Sequence, residues 1–167
     1  MSDKKGYRLY NVIFPIWMLW IFPVTWIIVL PANFGIDLLV TVICFKLMHV
    51  EGIKEKLKKR IWAIWGFGFL ADFIGTAAMF SPNLIDGNEW WINNIANPVC
   101  FNPFENIYAF LWVTACVLIS GICIYFLNSR IALKNSGLDD SRIKRTSLAL
   151  AVFTAPYLFY LPTMLFF

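Results

Sequence analysis

The chain has 167 residues, 60% of them hydrophobic and 14% charged, with mean hydropathy +0.68 and a formal net charge of +4. Soluble domains run nearer half apolar and a quarter charged, and a chain this short cannot bury so much apolar surface in one aqueous core, so an ordinary soluble domain is excluded and lipid is the simpler solvent. Nucleic-acid binding is excluded too, because the basic residues fall in short segments between apolar runs, as in loops beside anionic lipid.

A bilayer core about 30 Å thick takes about 20 apolar residues in helix. Residues 9–30 carry no charge, and no small-x-small cleavage site follows, the chain reading Leu30-Pro31-Ala32-Asn33. The run therefore reads as a retained first span over about 10–30 rather than a signal peptide. The apolar text continues to about 48, too long for one crossing, which predicts a turn at 31–33 and a second span over about 32–48. Proline disfavours helix at the residue before it, and Asn33 can cap the helix that follows. Residues 49–60, HVEGIKEKLKKR, read as a short basic loop. A third span is expected over about 61–80, closed by Ser81-Pro82-Asn83. A polar segment, 81–105, follows, and within it NEWWINNIAN (88–97) reads as a short interfacial helix or lid. The fourth span is expected over about 106–127, a second basic loop over 128–145, and a fifth span over about 146–167.

Three, six and five Lys or Arg lie in residues 4–8, 46–60 and 130–145, which accounts for all 14. The segments 31–33 and 81–105 hold none. Five spans put the three basic segments on one side, and the positive-inside rule then places the N-terminus in the cytoplasm and the C-terminus outside. The expected fold is an all-α, polytopic transmembrane bundle forming one domain in the cell (plasma) membrane.

Two carboxylates interrupt apolar spans, Asp37 and Asp72. An ionised carboxylate in hydrocarbon costs at least about 2.5 kcal/mol, so each is expected to face the protein interior, carry a proton or find a partner. No Lys or Arg lies within a span to serve, and Lys46 is expected to snorkel to the surface. Asp37 stands four residues past Asn33, roughly 6 Å along a helix, and Asp72 eight before Phe80, roughly 12 Å. Both counts start from the outer surface, so the two aspartates can meet in the outer half of the bundle. Asp37, Asp72 and Asn33 are the candidate proton, ion or substrate site.

Gly68, Ala71, Gly75 and Ala78 recur at spacings of three and four. They form one small-residue face suited to close helix packing, and Asp72 borders it. Pro15, Pro23, Pro31, Pro156 and Pro162 each free a backbone carbonyl, which predicts bent or broken helices. His49 is a lone histidine at the basic interface, and Cys44, Cys116 and Cys123 lie in apolar runs with no CxxC pair. They read as interface and packing residues, so no metal site and no cofactor is expected. Cys100, in the polar segment, has a partner only in another chain if it faces an oxidising space.

No catalytic motif is present: no G-x-S-x-G, H-E-x-x-H, P-loop or Rossmann glycine pattern. The leading reading is a proton- or cation-handling transporter or channel, with the bilayer as partner and a homo-oligomeric or hetero-oligomeric assembly. The alternative is an accessory or scaffold subunit that holds a partner through the small-residue face. An intramembrane enzyme using the aspartates trails both.

Overall fold

The computed structural model describes residues 23–163, with side chains from residue 27 onward. Among the described residues all regular structure is helical. α1 runs unbroken over Pro23–Leu47, so the turn expected at 31–33 does not form and Asn33 is interior to a helix rather than its cap. A proline fixes a helix-compatible φ; what it removes is one N–H donor, and neighbouring helices can offset that loss in an apolar setting. Here Trp65 of the next helix donates its indole N–H to the Leu30 carbonyl at 3.2 Å, beside the proline. Phe34 also packs on Trp62 and Trp65, with ring centroids 5.2 and 6.1 Å apart. The part of the expected first span before Pro23 lies outside the described residues.

α1 stops at a turn built on backbone bonds. Val50 N–H reaches the Phe45 carbonyl at 2.9 Å, and His49 N–H reaches that of Lys46 at 3.1 Å. His49 itself is left-handed, with φ 50°. This is the Schellman stop, with histidine where glycine is usual. Gly52, at φ 65°, completes the reversal into α2, Ile53–Phe80.

α2 begins inside the basic segment, so residues 53–60 are helix rather than loop; Lys, Glu and Leu are all good helix formers. Its 28 residues span about 42 Å, more than a hydrocarbon core of about 30 Å. After a 3₁₀ turn, Ser81–Leu84, three short pieces join end to end: α3 (Glu89–Trp91), a π-helical turn (Ile92–Ala96) and α4 (Asn97–Phe101). The 88–97 segment is thus helical as expected, and Asn88 caps it by accepting from Trp91 N–H at 3.0 Å. α5, Ile107–Leu127, matches the expected fourth span and is capped by Asn106. It continues into a π turn, Asn128–Ala132.

α6 covers Asp140–Phe153, capped by Asp139. The expected fifth span, 146–167, therefore starts early in the basic segment and stops at Phe153. A 14-residue helix is about 21 Å long, short of a full crossing. Pro156 follows, which cannot continue an α-helix ladder, and the chain resumes as a 3₁₀ turn over Tyr157–Tyr160. Among the described residues, three helical stretches are long and apolar enough to cross a membrane: Ile27–Leu47, Ile53–Leu84 and Ile107–Ala132.

The long helices form a ring in which α1 packs on α2 and α6, and α5 packs on the same two. Two apolar clusters fill it. One gathers Met79, Val113, Cys116 and Phe159, with Ile95 and Val99 of the short helices; the other gathers Phe45, Ile64, Ala71, Ile124 and Leu150. The basic segments 49–60 and 128–145 lie together at the end of the bundle that holds Phe45, where Lys56 and Arg60 of α2 donate to the carbonyls of Gly137 and Asn135.

Candidate functional site

Between the two apolar clusters the interior turns polar. Along α2, Asp72 and Thr76 fall between Ala71 of one cluster and Met79 of the other, and along α5 Ser120 falls between Val117 and Ile124. On α1 the buried polar residues are Asp37 and Thr41, about two turns and one turn before the core residue Phe45. Asp37 and Asp72 are each only 5% exposed.

The structure brings the three sequence-predicted site residues, Asn33, Asp37 and Asp72, to one cavity of about 480 Å³. Gly68 makes the approach: a β-carbon there would stand 3.2 Å from Asp37 Oδ2. The missing side chain lets the α1 carboxylate rest on the α2 backbone, one helical turn before Asp72 on the same face. The far wall comes from the chain after α6, where Thr154, Ala155, Tyr160 and Leu161 line the cavity, with Phe104 above. Thr154 is the C-cap of α6; it lines the same cavity as Asp37, and its hydroxyl donates to the Leu150 carbonyl at 2.8 Å. The α6 carboxyl end, which carries partial negative charge, therefore closes the site.

Thr41 Oγ1 donates to the main-chain carbonyl of Asp37 at 2.7 Å, and Thr76 Oγ1 to that of Asp72 at 2.9 Å. The same Asp-x-x-x-Thr unit thus occurs on both helices. Each threonine spends its proton one turn back along its own backbone, leaving the carboxylates free for other partners. Among the described residues, Asp72 Oδ1 is buried with no hydrogen-bond partner, as are Ser120 Oγ, Thr146 Oγ1 and Ser147 Oγ, and none that lines the cavity is basic. Two carboxylates and a helix carboxyl end with no cationic side chain are short of positive charge, and a proton or a bound cation would complete the arrangement. Among the described residues, no three His, Cys, Asp or Glu cluster as metal ligands.

The small-residue face is a seam inside the chain. Gly68 receives Asp37, and Ala71 is fully buried. A β-carbon on Gly75 would fall 1.9 Å from Ser120 Oγ and 2.9 Å from Phe159. Trp112 donates its indole N–H to the Ala78 carbonyl at 3.3 Å. This chain's own α1, α5 and Phe159 pack against that face.

Reading the sequence missed the threonines and Ser120, although the doubled Asp-x-x-x-Thr spacing was in plain view. It also missed Thr154, whose role depends on where α6 ends. Outside the apolar helices, Cys100 lies beside Asn83, whose side-chain amide is 3.3 Å from its sulfur. Burial pushes the Cys100 thiol pKa up, against the smaller opposing effect of that contact. Comparison with protein-family models, curated proteins and solved structures finds no match.

Proposed function

We propose that this chain is a multi-pass membrane protein that binds and passes a proton or monovalent cation at the Asp37–Asp72 site. The observation that carries the reading is that two buried carboxylates line one cavity with no basic side chain among the described residues on its wall. The oxygen groups among the lining residues include the two carboxylates, the Asn33 amide oxygen and the Thr154 hydroxyl. That set suits a hydrated or partly dehydrated hard cation, or a relayed proton. A helix that breaks at the site, with its carboxyl end turned to a cation, follows the same electrostatics as the discontinuous helices of ion-coupled transporters.

In this reading the end carrying residues 49–60 and 128–145 faces the cytoplasm, and the segment 81–105 faces outside. Thr163 Oγ1 donates to the Cys100 carbonyl at 3.0 Å, which favours an outer position for residue 163. With α1 continuous through 31–33, the parity count that set the N-terminus in the cytoplasm loses its basis.

The test is flux into proteoliposomes, read with pH-sensitive and cation-sensitive dyes. Wild type should conduct, while Asp37→Asn and Asp72→Asn, which keep side-chain volume and remove charge, should each cut flux at least about tenfold. A folded double variant with undiminished flux would overturn the proposal.

A further inference from the structure

The α5–α6 pair carries two neighbouring cavities that share two lining residues. The first is an apolar groove of about 470 Å³ between the helices, walled by residues such as Leu118, Ile122, Leu148 and Val152. The second, about 810 Å³, lies at the basic end and is lined by Ser129, Arg130, Lys134, Asp140 and Lys144. Tyr125 and Phe126 line both, so the wall changes from aliphatic to cationic across these two side chains. Gly121 deepens the apolar part: a β-carbon there would already stand 3.5 Å from the Ala151 carbonyl on the facing helix.

We propose that this groove binds an anionic phospholipid, with its phosphate among Arg130, Lys134 and Lys144 and an acyl chain between α5 and α6. Length supports the occupant. On α5 the groove extends from Thr114 to Tyr125, a rise of about 16 Å, or half of a hydrocarbon core of about 30 Å. One leaflet's acyl chain fills that depth. Charge supports it as well: three cations against the single carboxylate of Asp140 favour an anionic headgroup, and they stand where the groove leaves its apolar part. An apolar helix from a second copy would match the aliphatic stretch but would cover the cations without neutralising them. The site rests on the membrane reading and is independent of the carboxylate pair.

Native mass spectrometry of the full chain in detergent, titrated with phosphatidylglycerol and with phosphatidylcholine, tests it. Wild type should prefer phosphatidylglycerol by at least about tenfold, since each basic side chain near an anionic headgroup is worth about fivefold. Arg130→Gln/Lys134→Gln/Lys144→Gln, all at exposed positions, should bring the two lipids within about twofold. Lys54→Gln/Lys58→Gln/Lys59→Gln removes the same charge from the other basic segment and should keep the preference. Asp37→Asn should keep it too, which separates this site from the proposed ion site. Equal affinities in wild type, equal losses in both triple variants, full displacement by inorganic phosphate, or a dimer that excludes lipid would each overturn the proposal.

Discussion

His49 occupies a backbone position that L residues adopt at a cost of roughly 1–2 kcal/mol. Its φ is 50°, and the two hydrogen bonds that close α1 depend on it. Val50, buried beside Phe45 in the same apolar cluster, locks the turn through the side-chain contact that accompanies this kind of stop. Glycine relaxes the left-handed position without touching either bond. His49→Gly should therefore raise stability by about 1 kcal/mol, and His49→Val, branched at the β-carbon, should lower it. Thermal unfolding in one detergent would show the pair moving in opposite directions; movement together would mean that the turn does not control this end of α1. The sequence had shown His49 only as a lone interface residue, because nothing in residue order reports the sign of φ. The aspartates were easier to find, since a carboxylate in an apolar run stands out whatever the helix does. Thr41 and Thr76 did not stand out, because hydroxyls satisfied along their own helix are common in apolar spans, and Ser120 did not because only the packing of α5 against α2 shows that its hydroxyl is buried.

At the scale of elements, prolines and charges were the weak guides and apolar length the strong one. α5 falls where its apolar run lies, with Asn106 as cap. Pro31 does not end a helix, and α2 packs against α1 there, with Phe34 on Trp62 and Trp65, whereas Pro156 lies just past the end of one. The difference is tertiary: α6 ends at a cavity lined by Thr154 and Ala155. The basic segments were read as loops because charge leaves lipid, yet charged residues form helix readily once outside it. The α2 seam gives the sharpest test at this scale. Gly75 sits against Ser120 and Phe159, with no room for a larger side chain. Gly75→Leu should destabilise the bundle by about 1–3 kcal/mol through overpacking, seen as a lower unfolding temperature of the isolated chain. An unchanged melting profile would return the small-residue face to the role of a free surface.

At the scale of the molecule, Asp37 and Asp72 line one cavity, and the depth count does not explain it. The depth count began from a helix start at Asn33 that does not exist. What aligns the two residues is an antiparallel α1–α2 pair reversed over residues 48–52, with Gly68 admitting the α1 carboxylate. Rotation about each helix axis decided the contact, and no single helix's sequence contains that rotation. The orientation of the ring follows from charge instead. Lys56 and Arg60 hold residues 135–137 at one end, and the acidic, Lys- and Arg-free segment 81–105 joins the other ends of α2 and α5. Single cysteines at the exposed positions Asn135 and Asp86, placed in a background where Cys100 is serine, should therefore differ in access to a membrane-impermeant maleimide added to intact cells. Asp86→Cys should label and Asn135→Cys should label only after permeabilisation. If the order is reversed, the ring is inverted and the proposed cation site opens toward the cytoplasm. If both label from outside, the chain does not cross the membrane at α2 and α5, and the carboxylate pair has to be explained as a buried polar contact without transport.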